Sequence, residues 1–152
     1  MKDRYETFTV LITKISRNIR KLKNQEMTDY NLRSTHISCL YYLYSSEGLT
    51  ATDLCERCEE DKATISRSLG YLEKGGYIAY KPKEAKKYKI PIALTEKGME
   101  VGKKISDKID HVLDEISIGL TEDERVTLYR SLNIISDGLE AACKHPPEKN
   151  IA

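Results

Sequence analysis

Apolar positions repeat with a helical period over most of the chain. Phe8, Ile12, Ile15, Ile19 and Leu22 alternate gaps of four and three residues, the stripe of an amphipathic helix that packs on another helix. The polar run from Lys23 to Asn31 reads as the helix end and a loop. Ile37, Leu40, Tyr41 and Tyr44, with Leu43 beside them, mark a second helix, which Glu47-Gly48 ends. Thr50 is an N-cap with Asp53 three residues on, a capping box with a shorter acid than the usual Glu. It opens a short helix from Ala51 to Arg57. After the polar turn Glu59-Glu60-Asp61, Asp61 caps a helix from Lys62 to Lys74, and Gly75-Gly76 ends it.

The pattern then changes. Tyr77 to Tyr80 are strand formers, Pro82 to Lys89 form a basic loop, and Ile90 to Leu94 read as a returning strand with Pro91 at an edge or bulge. Thr95 caps a long helix with the stripe Ile105, Ile109, Val112, Ile116 and Leu120. Thr121 and Glu124 make a capping box for a last helix striped by Leu128, Leu132, Ile135 and Leu139. His145-Pro146-Pro147 stops it. The predicted fold class is mainly α with a small β-hairpin wing.

Composition narrows the class. A chain of 152 residues with 32% charged and 39% hydrophobic residues is an ordinary globular protein. No apolar run is long enough to span a bilayer, and the charged start, Met1 to Glu6, lacks the apolar core of a signal peptide. These features predict a cytoplasmic protein with no membrane partner. Cys39, Cys55, Cys58 and Cys143 are too few for a disulfide scaffold. Cys55 and Cys58 form a C-x-x-C inside a helical pattern, which reads as one core-facing and one incidental cysteine. The histidines, His36, His111 and His145, are scattered, so no metal site is predicted. No phosphate loop, nucleophile elbow or metalloprotease motif is present, which predicts neither an enzyme nor a cofactor.

Residues 49 to 94 have the plan of a winged helix-turn-helix. On the helix Lys62 to Lys74, one face carries Ile65, Leu69 and Leu72. The other carries Lys62, Ala63, Arg67, Gly70 and Lys74, flanked by Thr64, Ser66 and Tyr71. Small and hydroxyl residues let a backbone sit deep in a groove, and Arg67 is suited to bidentate donation to guanine. Thr64 and Ser66 can reach phosphates or base edges. Gly70 inside the helix costs up to ~1 kcal/mol relative to Ala and allows close backbone approach. From Lys62 to Lys89 there are eight basic and two acidic residues, an excess of +6 in a chain of net charge +1. The basic charge is thus concentrated where this plan meets DNA.

Residues 32 to 98 resemble the multiple antibiotic resistance regulator (MarR) family. The carrying stretches are Leu49 to Leu54, Asp61 to Leu69, Leu72-Glu73-Lys74-Gly75-Gly76-Tyr77-Ile78 and Leu94-Thr95-Glu96-Lys97-Gly98. The resemblance implies a transcription regulator that binds double-stranded DNA as a homodimer on a pseudo-palindromic operator. In that plan 1–152 is a single domain, with 32–98 as the DNA-binding lobe and 5–22 and 104–142 as dimerisation helices. It also implies a ligand-responsive repressor, with a small phenolic or lipophilic effector held near Ile15, Tyr30, His36, Cys39, Leu40 and Ile109. The family's wing carries Asp-x-Arg at its tip, whereas this chain has Glu84-Ala85-Lys86-Lys87-Tyr88-Lys89. Lys86 and Lys87 are therefore expected on phosphates rather than in the minor groove. Two alternatives stand beside this reading: a winged helix used for protein contact, and a thiol-redox regulator using Cys39, Cys55 or Cys58. Peroxide-sensing relatives use a first-helix cysteine, and this chain has none before Cys39.

Overall fold

The computed structural model describes residues 4–26, 28–80, 89–117 and 119–145. The element order is α1 (Arg4–Glu26), a single 3-10 turn (Thr28–Tyr30), α2 (Ser34–Ser45), α3 (Ala51–Cys58), α4 (Lys62–Lys74), β1 (Ile78–Tyr80), β2 (Ile92–Leu94), α5 (Glu96–Ile116) and α6 (Glu122–Lys144). This is the mainly helical, winged helix-turn-helix order that the hydrophobic pattern predicts. The chain forms two compact units, residues 1–108 and 109–152.

The core of the first unit sits where α2, α3 and α4 converge. Leu40, Leu54, Ile65, Leu72 and Cys39 are fully buried there, and Ile105 of α5 is buried as well. The caps that hold the helix starts are local. The Thr50 N–H donates to Asp53 Oδ2 at 2.8 Å, and the Asp53 N–H donates to Thr50 Oγ1 at 3.3 Å. Aspartate thus closes the box as glutamate would. Asp61 Oδ1 accepts the Thr64 N–H at 2.7 Å at the start of α4.

The hairpin is short. Ile78 pairs with Leu94, Ala79 with Ala93 and Tyr80 with Ile92, all antiparallel. The returning strand begins at Ile92, two residues later than the β-formers predict. Pro91 has no N–H to give, and the Ile92 N–H goes instead to the Leu49 carbonyl at 2.9 Å. That bond ties the hairpin to the lead-in of α3. At the other end the Thr95 N–H donates to the Tyr77 carbonyl at 3.0 Å. Gly98 explains its own place in the Leu94 to Gly98 stretch: a Cβ there would lie 1.9 Å from the Tyr77 carbonyl oxygen. Only glycine lets α5 pass this close to the start of the wing.

In the second unit, Thr121 and Glu124 close the expected box, with the Thr121 N–H to Glu124 Oε2 at 2.8 Å. No residue of α6 is buried, and Val126, Leu128, Leu132, Ile134, Ile135 and Leu139 are all exposed.

Three expectations shift. Leu120 is not on the α5 stripe, because α5 stops at Ile116 and the Leu120 N–H closes a turn on the Ser117 carbonyl at 2.9 Å. The stretch Lys23 to Asn31, read as a helix end and a loop, ends α1 at Glu26 as expected, but its loop part holds the 3-10 turn. Within α2, Tyr41 and Tyr44 are only half-buried, while Cys39 takes a core position.

Candidate nucleic-acid interface

α4 owes its orientation to its apolar face. Ile65, Leu69 and Leu72 are inserted in the core, and Ser68 lies among them. Removing three such side chains from water stabilises the seat by roughly 1.5–3 kcal/mol each. The opposite face is left to solvent: Lys62, Ala63, Ser66, Arg67, Gly70 and Lys74 are exposed, and Thr64 is half-buried. The turn that aims α4 is tight. Glu59 takes a left-handed backbone, φ 51°, and the Glu60 N–H donates to the Cys55 carbonyl at 3.1 Å. Asp61 is held below the ordinary carboxylate range, first by the Thr64 backbone N–H it accepts and then by the Thr64 side chain. Its charge also favours the positive end of α4.

Arg67 is braced but free at its tip. Its Nη2 donates to Thr64 Oγ1 at 3.3 Å, one turn back on the same helix, leaving the other donors of the guanidinium fork exposed. No backbone or side chain meets a Cβ built on Gly70 within 4 Å. The fold itself therefore does not require glycine at this site on the exposed face.

Tyr71 has other commitments. Its hydroxyl donates to the Asn31 carbonyl at 2.8 Å, and its ring stacks on His36 with centroids 4.4 Å apart and planes 8° from parallel. Asn31 holds φ at 54°, left-handed, to present that carbonyl. Tyr71 thus clamps α4 to the lead-in of α2. His36 is engaged twice, since its Nδ1 also accepts the Arg33 N–H at 3.0 Å. Burial, and then the nearby Arg33, hold its pKa below the usual histidine value, so the neutral acceptor form persists.

Lys97 serves the far end of the reading helix. Its Nζ donates to the Gly75 carbonyl at 2.8 Å and lies 4.3 Å from the centre of the Tyr77 ring. A positive charge at a helix C-terminus offsets the dipole there. Lys86 and Lys87, expected at the wing tip, lie outside the described residues.

The residues expected around an effector do not share one environment. Cys39 and Leu40 are sealed in the core. Tyr30 is half-buried, and its hydroxyl accepts from Lys104 Nζ at 3.0 Å. Ile15 is an exposed residue of α1, and Ile109 belongs to the second unit. His36 belongs to the Tyr71 clamp. Two features escape sequence reading. One is an open groove of about 560 Å³ between α3, α4 and β1, lined by Thr52, Cys55, Lys62, Ser66, Glu73 and Tyr80 among others. The other is the mutual influence of Cys58 and Cys39, from different helices, on each other's ionisation: the Cys58 pKa is lowered and that of Cys39 is raised. Cys55 and Cys58 are both half-buried, so neither is sealed in the core as Cys39 is.

Known proteins share this arrangement. A profile of the MarR family matches residues 30–87. The HTH-type transcriptional regulator YybA of Bacillus subtilis is 26% identical over 126 residues, covering 83% of this chain and 84% of that protein. The HTH-type transcriptional regulator SarZ of Staphylococcus epidermidis is 29% identical over 117 residues, covering 77% and 78%. Among solved structures, the MepR–DNA complex of S. aureus superposes with a TM-score of 0.76 at 21% identity, covering 87% of this chain and 97% of that one. In helix order and antiparallel hairpin the chain has the winged helix-turn-helix fold of these solved structures, and over residues 30–87 its sequence is similar to the MarR family of transcription regulators.

Proposed function

We propose that the chain is a sequence-specific regulator that binds double-stranded DNA as a homodimer and represses from a pseudo-palindromic operator. The observation that carries the reading is the division of α4. One face is locked into the core, and the other presents Arg67, Lys62 and Lys74 around small residues. A helix held this way enters a major groove, with Arg67 on a guanine edge and Thr64 and Ser66 on phosphates or bases. Ala63 and Gly70 keep the approach close. Tyr71, clamped to His36, sets the angle of the helix more than it reads DNA. Lys86 and Lys87 of the wing add phosphate contact.

The second half of the reading is the dimer. Val10, Leu11, Ile12, Ile15 and Ile19 of α1 are all exposed, as is the stripe of α6. Apolar surface on this scale marks an interface, and two-fold pairing gives two reading helices for two half-sites. In this plan residues 32–98 are the DNA lobe of a single domain, and 5–22 and 104–142 join the protomers. A small phenolic or lipophilic effector that binds beside Tyr30 and His36 would act on α4 through the His36–Tyr71 stack and release the operator.

Selection of bound duplexes from a random library tests the reading directly. The expected result is a two-fold related consensus, bound with a logarithmic salt slope of about −7 for eight phosphate contacts. Binding that is equal across sequences, or a slope near zero, would sink it in favour of a protein partner for the basic hairpin.

A further inference from the structure

The helical glycines of the chain divide by what a side chain would meet. In α5, a Cβ on Gly98 would lie 1.9 Å from the Tyr77 carbonyl oxygen, and one on Gly102 would lie 2.9 Å from that of Tyr44. The fold needs both. Gly70, in the middle of α4, is different. Apart from its chain neighbours and its own helix backbone, no atom comes within 4 Å of a Cβ built there. Glycine inside a helix is less stable than alanine, so α4 carries a cost that its own packing does not explain. Gly138 of α6 is equally open; what sets Gly70 apart is its surroundings.

Gly70 lines the groove of about 560 Å³ between α3, α4 and β1. Along α4 the groove runs from Lys62 past Ser66 and Gly70 to Glu73, and Ile65 and Leu69 give it an apolar wall. Arg67, three residues before Gly70, is exposed. Three residues advance a helix by about 4.5 Å, close to the spacing of about 3.4 Å between stacked base pairs. A helix that sets Arg67 on one base pair therefore brings Gly70 over its neighbour. A phosphate is disfavoured at that point, because the Glu73 carboxylate stands one turn further along the same groove. The gap suits a small apolar group, bounded as it is by Ile65, Leu69 and an absent side chain. In the major groove thymine alone of the four bases presents one, its C5-methyl.

We propose that Gly70 is a specificity-determining residue: the space beside its backbone receives the C5-methyl of a thymine next to the guanine that Arg67 contacts. The inference rests on the DNA reading proposed above and deepens it by naming a second base. An alanine Cβ would occupy the volume of that methyl. Receiving the methyl thus accounts for a glycine that the fold alone does not require.

The test combines Gly70→Ala in the full chain with the duplex selected from the random library. Each thymine of that duplex is replaced in turn by deoxyuridine, which lacks the methyl. For the wild-type chain one thymine per half-site should matter, with affinity falling roughly fourfold per methyl lost. Gly70→Ala should raise the thermal midpoint by about 2–4 °C, since the added Cβ meets nothing in the fold. The same change should weaken binding to the thymine duplex roughly tenfold, as overfilling a contact does. It should also abolish the preference for thymine over deoxyuridine at that position. Stability and recognition then move in opposite directions, which a glycine serving the fold alone cannot produce. If Gly70→Ala binds the thymine duplex as tightly as wild type, keeps the deoxyuridine effect, or lowers the midpoint, the proposal is overturned. The DNA reading stands without it where Arg67→Ala still loses preference for the selected duplex. A chain that selects no duplex overturns both.

Discussion

α4 and α6 are both amphipathic helices with leucine and isoleucine on one side, yet their apolar faces meet different fates. In α4, Ile65, Leu69 and Leu72 are buried by the chain's own α2 and α3. In the longer α6 no residue is buried, and Leu128, Leu132, Ile135 and Leu139 stand open. The same period therefore specifies two different things. A stripe near other stripes in one compact unit makes a core. A stripe left uncovered, as on α6, suits the proposed association, whose free energy would appear only at sufficient concentration.

Substitutions can break that contrast. The largest effect is expected for Leu132→Glu in α6. Covering a leucine is worth roughly 1.5–3 kcal/mol, the two-fold places it twice, and the new carboxylate would also have to lose water. Dimer association should weaken by a thousandfold or more, while monomer secondary structure persists. Sedimentation equilibrium reads this directly. An unchanged dimer mass near twice 17.4 kDa would show that α6 lies outside the interface.

Leu72→Ala in α4 should behave in the opposite way. The leucine is fully buried, and its truncation leaves a cavity that costs about 2–5 kcal/mol of folding stability. The loss should appear in the denaturant midpoint at every protein concentration. A cost that vanished on raising the concentration would mean that α4, too, depends on the partner.

Arg67→Ala touches the outer face of the same helix and should spare stability. Its hydrogen bond to Thr64 is exposed and modest. The loss is expected in recognition, about 1–3 kcal/mol of preference for the selected duplex over a scrambled one. Equal weakening on both duplexes would reduce Arg67 to a phosphate contact.

The contrast also shows what the linear sequence makes legible. Caps are readable because their partners lie three residues apart: Thr50 with Asp53, Asp61 with Thr64, and Thr121 with Glu124 form as the motifs predict. The two faces of α4 are readable because a helix repeats every 3.6 residues. The Tyr71 clamp is not, because its partner is the Asn31 carbonyl, exposed by a left-handed backbone that the sequence around Asn31 does not announce. Gly98 sits in between: its motif is legible, but the Tyr77 carbonyl that excludes any larger residue is seen only once β1 and α5 are in place.

The smallest expected effect compares the caps themselves and is read by pH. The Asp53 carboxyl is held below its ordinary range, first by the Thr50 backbone N–H and then by the Thr50 hydroxyl. Its folded pKa lies below the unfolded value of about 3.9. The cap's contribution is therefore fully present above the unfolded pKa and is lost as pH falls through the folded pKa. Asp61 and Glu124 are lowered in the same direction by the N–H groups of Thr64 and Thr121. Asp53→Asn keeps a side-chain acceptor but removes the titration. The wild-type chain should lose stability on acidification below about pH 4 more steeply than the variant, and above pH 5 the two slopes should coincide. The matching Glu124→Gln change in α6 should flatten the same acid limb only where the dimer persists, because α6 contributes no buried side chain to the isolated chain. Parallel acid limbs for Asp53→Asn and wild type would mean that Asp53 stays engaged in the unfolded chain. An effect of Glu124→Gln in a Leu132→Glu monomer would show that α6 is stabilised without its partner.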